Sequence, residues 1–350
     1  MMINGLTTVT AISRGLPRLC IRNISTHNPF RLDAVRHQFR PGQLRRSTHD
    51  NADKFTDRYM HEKNRNASFR NLVTKPFIFS VAVCAVSFTG AIIAEYEKMR
   101  SLGIMGLSRI RGPFKDFFQD FTRYKNGEFR RKLNRWWNSL PDSRKVATTI
   151  IAINAGVFAL WKIPKLFPFM VRWFTNNPAS GRSITLLTST FSHFDWWHLG
   201  MNMFVLWNFA PLACDILGKE QFFATYISAG VFASLGQNLY HLAIRSTRVF
   251  GLGASGALMG TLAVICLKRP DTQLSIIFLP FFSFPITHGM LAIMAIDVLG
   301  LLFRWRFLSH SAHLSGALFG GAYILYGQEY LWQKRTAVAS EWHKLREKFR

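Results

Sequence analysis

Apolar residues fall along this chain in separated blocks, with the charged residues gathered between and around them. "PFIFSVAVCAVSFTGAIIA", Pro76–Ala94, carries no charge. A membrane-spanning helix needs about 20 mostly apolar residues, so this stretch predicts one span standing apart from the rest. Six more are predicted at about 146–163, 199–217, 221–244, 253–267, 286–303 and 311–327. The pattern is that of an all-α membrane protein: a six-helix core preceded by one extra N-terminal transmembrane helix. Between the first span and the core, Phe114, Phe117, Phe118 and Phe121 recur at helical spacing among lysines and arginines, with Trp136 and Trp137 further on. That spacing predicts an amphipathic helix lying in the membrane interface. "SIIFLPFFSFP", Ser275–Pro285, is apolar but short and proline-broken, and reads as a membrane-associated loop. No internal repeat is visible, which weakens a transporter built from duplicated halves.

Charge placement sharpens the division. The chain carries a formal net charge of +25, yet residues 146–327 hold only 16 charged side chains in 182 positions. The excess is +9 in residues 1–75, +8 in 96–145 and +3 in 328–350. A core poor in charge with basic flanks suits a protein meeting anionic lipid headgroups. No nucleic-acid reader motif accompanies the charge, so nucleic acid is not an expected partner. The boundaries that follow are a basic segment at 51–75, the extra helix at 76–94, a basic amphipathic linker at 95–145, the core at 146–327 and a basic tail at 328–350.

Residues 1–50 read as an address. Arg14, Arg18 and Arg22 stack on one face of a helix, hydroxyl residues are frequent, and no acid precedes Asp33. Arginine-rich, serine-rich and acid-poor is the composition of an organelle transit peptide, and no compact apolar run suggests a secretory signal. Mitochondrial import is the expectation.

Polar side chains inside apolar helices are costly and therefore informative. His193, His198 and Asn202 lie in "FSHFDWWHLGMNM", Ser255 in "GLGASGALMG", His310 and His313 in "SHSAHLSGALFGG", and Asp297 alone in the fifth core span. Gly256 and Gly260, like Gly316 and Gly320, are small residues four apart, a spacing that lets two membrane helices approach closely. Packing of those two faces would bring the Ser255 hydroxyl within reach of the His313 imidazole. Serine is a weak nucleophile until an adjacent base takes its proton, so the pair is a candidate acyl-transfer site. His198 and Asn202 offer neutral donors for a developing oxyanion. No carboxylate stands in the local motif to orient His313, which points to a dyad; Asp297 reads as a buried structural hydrogen bond. The histidines lack a metal-binding pattern such as HExxH, and the four scattered cysteines (Cys20, Cys84, Cys214, Cys266) imply neither a disulfide framework nor a metal site. No cofactor and no metal are expected, and nothing sets an oligomeric state.

"HLGMNM", "GLGASGALMG" and "AHLSGALFGG", in this order on the second, fourth and sixth core spans, resemble the rhomboid intramembrane serine proteases. "RWFTNNPAS", "TFSHFDWWHLGMNMFVLW", "ILGKEQF", "IIFLPFFSF" and the extra N-terminal span resemble the mitochondrial presenilin-associated rhomboid-like subfamily, over about residues 76–335. The resemblance implies Ser255 as nucleophile and His313 as general base, with His198, Asn202 and the Ser255 backbone N–H forming the oxyanion site. It also implies that Gly253 is the first glycine of the family's G-x-S-G pattern. His193 is expected to support the site by forming, with His198 and Asn202, a polar cavity that retains the water hydrolysis needs. The implied substrates are single-span proteins of the mitochondrial inner membrane, with links to mitochondrial fusion, mitophagy and cell death. This chain departs from the family at Ser309, where relatives often have aspartate, at Ser315, where glycine is usual, and at Met259, where many bacterial members place an aromatic under the imidazole. Two other classes stand beside a protease: a catalytically inactive rhomboid-like scaffold, and a channel or carrier using Asp297 and the histidines as a polar path.

Overall fold

The computed structural model describes residues 70–109, 127–246, 249–276, 279–305 and 309–349, all within one compact unit, Phe55–Arg350. The expected transit peptide and the phenylalanine repeat at 114–121 lie outside the described residues. The chain is mostly helical. In order come α1 (Lys75–Arg109), α2 (Glu128–Ser139), α3 (Asp142–Trp161), α4 (Phe167–Trp173), α5 (Trp196–Leu217), α6 (Lys219–Ala243), α7 (Ser255–Lys268), α8 (Ile286–Leu302), α9 (His310–Ala322) and α10 (Thr336–Lys348). After α9 the helix widens into a π-helical segment, Tyr323–Gln333.

Among the described residues, two helical stretches are long and apolar enough to cross a bilayer, Asn71–Gly103 with mean hydropathy 2.3 and Trp196–Leu217 with 1.2. α3 together with the short helices at Pro164–Trp173 meets the same test as a pair bent by 94°. α7 and α8 are apolar but shorter. α1 outruns its apolar stretch by fifteen residues, from Glu95 to Arg109. Its polar extension is fastened by partners distant in sequence: Arg335 Nε donates to Glu95 at 2.7 Å, Trp342 Nε1 to Glu97 at 3.0 Å, and Lys98 Nζ to Asp142 at 3.0 Å. α2 buries none of its residues; Phe129, Leu133, Trp136 and Trp137 are exposed beside Arg130, Arg131, Lys132 and Arg135.

The segment expected as a loop is instead a two-stranded antiparallel ribbon, β1 (Gln273–Ile276) with β2 (Leu279–Pro285), in which Leu274 faces Phe284 and Ser275 faces Ser283. Hydrophobic and aromatic residues alternating with serine fit a pleated strand, and the register slips beside Ile276.

α6 lies at the centre, flanked by α1, α7 and α9. Fourteen of its residues are buried, among them Gln221, Ser228, Gln237 and Asn238. α7 lies along α9 and also packs on α5, whereas α8 meets the bundle through α9 and only lightly through α7. Its buried residues are Ile286, Met290, Asp297 and Gly300, which at helical spacing form one stripe.

Candidate active site

The two small-residue faces meet as their spacing requires. A Cβ added at Gly316 would overlap the Gly256 carbonyl oxygen, and one at Gly320 would overlap that of Gly260. Across the other side of α7, Cβ atoms at Gly256 and Gly260 would collide with Ala233 and Ala229 of α6. With α7 and α9 in backbone contact, His313 in the first turn of α9 reaches Ser255, the first residue of α7: Nε2 to Oγ is 2.9 Å.

α7 has 14 residues and so rises about 21 Å, well short of the roughly 30 Å hydrocarbon core. Its N-terminus, with Ser255, follows the loop 249–254. That loop is pinned from several sides. Gly251 and Asn176 exchange both backbone hydrogen bonds, at 2.7 and 2.8 Å, Gly253 N–H donates to the Ser189 carbonyl at 2.9 Å, and Ala254 N–H donates to His193 Nε2 at 3.3 Å. Asn176 is itself held by Asn238, whose amide donates to it at 3.0 Å. Gly253 is required twice over: its φ is +126°, and a Cβ there would come within 2.6 Å of the His198 ring. The first N–H groups of any α-helix lack an intrahelical acceptor and carry the positive end of its dipole. A serine at that position faces donors suited to an oxyanion.

His198 and Asn202 occupy one face of α5. Asp195 caps this helix by accepting from His198 N–H at 2.9 Å, and the Asn202 amide donates to the His198 carbonyl at 2.8 Å. The His193 and His198 rings meet edge to face, 4.9 Å between centroids. His193 lies in the loop ahead of α5, outside the spanning helices. Burial drives its pKa down to about 3, with His198 adding to the effect, so the imidazole stays neutral and its Nε2 can accept from Ala254.

Asp297 makes the buried hydrogen bond expected of it, and makes a contact that was not expected. The absence of a nearby carboxylate suggested a dyad, yet His313 Nδ1 lies 3.2 Å from both oxygens of Asp297, sixteen residues earlier on α8. Asp297 is also 2.7 Å from His310 Nδ1. A lone charge in an otherwise apolar span was the available signal. Ser189, Ser234, Gln237 and Ser309 line a small polar cavity at Ser255, and the expected His193, His198 and Asn202 are not among its lining residues. Ser309 accepts from the Gln237 amide at 3.3 Å. Ser315 fits because the glycine facing it is Gly236 of α6, where a Cβ would overlap the serine hydroxyl. Met259 is buried with Ala263, Met290 and Ala317 between α7, α8 and α9. Among the described residues no group of three metal-binding side chains is present.

A family model described as the Rhomboid domain matches residues 180–329. The chain is 43% identical over 275 residues to the mitochondrial presenilin-associated rhomboid-like protein of Rattus norvegicus, covering 78% of this chain and 71% of that one. To its Homo sapiens counterpart it is 42% identical over 280 residues, 79% and 72% of the two chains. The mitochondrial Rhomboid protein 1 of Saccharomyces cerevisiae is 32% identical over 209 residues, 57% and 59%.

Proposed function

The chain belongs to the rhomboid family, among its mitochondrial presenilin-associated rhomboid-like members, and on that premise we propose that it is an intramembrane serine protease. The observation that carries the proposal is the 2.9 Å contact between Ser255 Oγ and His313 Nε2, at the start of an apolar helix too short to span the hydrocarbon core alone. Ser255 is the nucleophile and His313 the general base. His198, Asn202 and the backbone N–H of Ser255 bind the oxyanion, and Gly253 and His193 hold the loop that places them. The domain reading is a six-helix core over 146–327 after one N-terminal span, with residues 1–50 directing import. Mitochondrial relatives support a multi-pass protein of mitochondria, here assigned to the inner membrane. Its substrates are single-span proteins of that membrane, and roles in mitochondrial fusion, mitophagy and cell death rest on the family resemblance.

A substrate helix approaches beside α8 and unwinds, because a helical carbonyl is hydrogen-bonded and shielded from attack. As Ser255 Oγ bonds to that carbonyl carbon, its proton passes to His313 Nε2 and the carbonyl electron pair moves to oxygen. The proton then goes to the leaving nitrogen as the C–N bond breaks. Water held in the cavity of Ser189, Ser234, Gln237 and Ser309 releases the acyl group by the reverse proton path.

A serine-directed fluorophosphonate probe tests the nucleophile. In purified, folded protein the label is expected on Ser255 alone, and lost in His313→Ala. A folded wild type that takes no label would favour the inactive-scaffold reading.

A further inference from the structure

Among the described residues two that are not glycine adopt a left-handed backbone, Arg245 and Arg304, both with φ +54°. Each stands just beyond the cap of a core helix. After α6, the Ser246 N–H donates to the His241 carbonyl at 2.9 Å and the Arg245 N–H to the Leu242 carbonyl at 3.1 Å. After α8 the pattern repeats, with Trp305 N–H donating to Gly300 at 2.8 Å and Arg304 N–H to Leu301 at 3.3 Å. Helices often close with this pair of bonds, and glycine usually takes the turning position because a side chain is strained there. A cation is favoured near a helix C-terminus, but it gains that from any position of the last turn. Arginine at both strained positions therefore points to work done by the side chains.

The two helix ends are neighbours at the end of the bundle that holds Ser255. The Tyr240 hydroxyl of α6 donates to the Leu301 carbonyl of α8 at 3.2 Å. α6 also brings Gln237 to the cavity at Ser255, and α8 brings Asp297 to His313. Both arginines are exposed. The three connections at this end, residues 162–195, 244–254 and 303–309, contain a single acid, Asp195, and its carboxylate is engaged in capping α5. Lys162, Lys165 and Arg172 on the first connection are exposed as well. A rim of one sign draws in the opposite charge and disfavours its own. Resting on the protease reading above, we infer that Arg245 and Arg304 select substrates that carry acidic residues just outside the membrane on the active-site side. A substrate helix approaching beside α8 passes these helix ends before it unwinds. A carboxylate there meets a guanidinium, whose paired N–H groups match it in geometry and charge. The contact forms on docking and persists through the reaction, so it lowers KM and leaves kcat alone.

The test uses the full chain in phosphatidylcholine vesicles, which offer no anionic headgroup to compete. Two single-span reporters are compared, alike except for glutamate or glutamine at the positions just outside that membrane face. Wild type is expected to cleave the glutamate reporter with a KM ~10-fold lower and kcat within about twofold, and added salt should narrow the gap. In the double variant Arg245→Gly with Arg304→Gly the KM gap should vanish. Its Ser255 should still take the fluorophosphonate probe at the wild-type rate, and its melting temperature should be equal or higher because glycine relaxes both turns. If that variant does not fold, Arg245→Gln with Arg304→Gln removes the charge at the same backbone positions and carries the same KM expectation. Equal KM for the two reporters in wild type would overturn the selection alone. So would a gap that survives in the folded double variant, or a KM that rises equally for both reporters. A wild type that neither cleaves nor takes the probe would overturn the protease reading and this inference with it.

Discussion

Gly316→Ala puts a methyl group where α9 crosses α7. In the folded chain that carbon would overlap the Gly256 carbonyl oxygen, which is backbone and cannot rotate away. Unstrained non-bonded carbon contacts lie at about 3.5–4.0 Å, so the helices must part by on the order of 1 Å. Overpacking of this kind costs about 1–3 kcal/mol. The larger consequence is catalytic. Gly256 follows Ser255 and Gly316 lies one turn beyond His313, so the same displacement acts directly on the 2.9 Å Ser255–His313 contact. Stretched by on the order of 1 Å, it exceeds the range of a hydrogen bond, and misplacement on that scale costs about 10²-fold in rate. Reporter cleavage and thermal melting in the same detergent separate the two effects. The expected outcome is at least a ~100-fold loss of kcat/KM with a modestly lower melting temperature. Gly156→Ala on α3, where an added Cβ meets nothing within 4 Å, is the control expected to keep both. Full activity in Gly316→Ala would refute the claim that glycine contact between α7 and α9 sets the catalytic distance.

Gly253→Ala combines an unfavourable φ of +126° with a collision against His198, so cleavage should fall about 100-fold or more, read by reporter turnover per folded molecule. His193 titrates at about 3 in the folded chain against 6.5 in its ordinary state. Its stabilising contribution is thus complete above pH 6.5 and declines as pH falls toward 3. At pH 5 the loss relative to pH 8 is about 2 kcal/mol, visible as a lower melting temperature, and the difference should shrink in His193→Gln. Glu95→Gln removes the partly exposed ion pair with Arg335, and because such pairs contribute about 0–1 kcal/mol, the melting temperature should move by no more than a few degrees.

The sequence located the core helices closely where apolar length and helical period act together: α5, α6 and α8 begin and end within three residues of their expected limits. It fell short on α1, because apolar content stops at Ala94 while the helix continues through Glu95, Glu97 and Lys98, whose partners are Arg335 just before α10, Trp342 on α10 and Asp142 on α3. Those partners are set by tertiary packing and leave no local trace. The pairing of β1 with β2 was hidden because their apolar run invites a membrane reading, while strand pairing is decided between the two strands. In the site, Ser255 and His313 were legible together since glycine spacing foretells which helix faces meet. Asp297 was not. A carboxylate sixteen positions before its histidine has no helical phase relation to it, and only the docking of α8 on α9 joins them.

The most direct test of the account is cleavage of a single-span mitochondrial inner-membrane protein by the purified chain in proteoliposomes, with wild type and Ser255→Ala side by side. The account predicts cut product from wild type and none from the folded alanine variant. Equal product from both would contradict it, as would uncut substrate across several single-span proteins with a folded wild type.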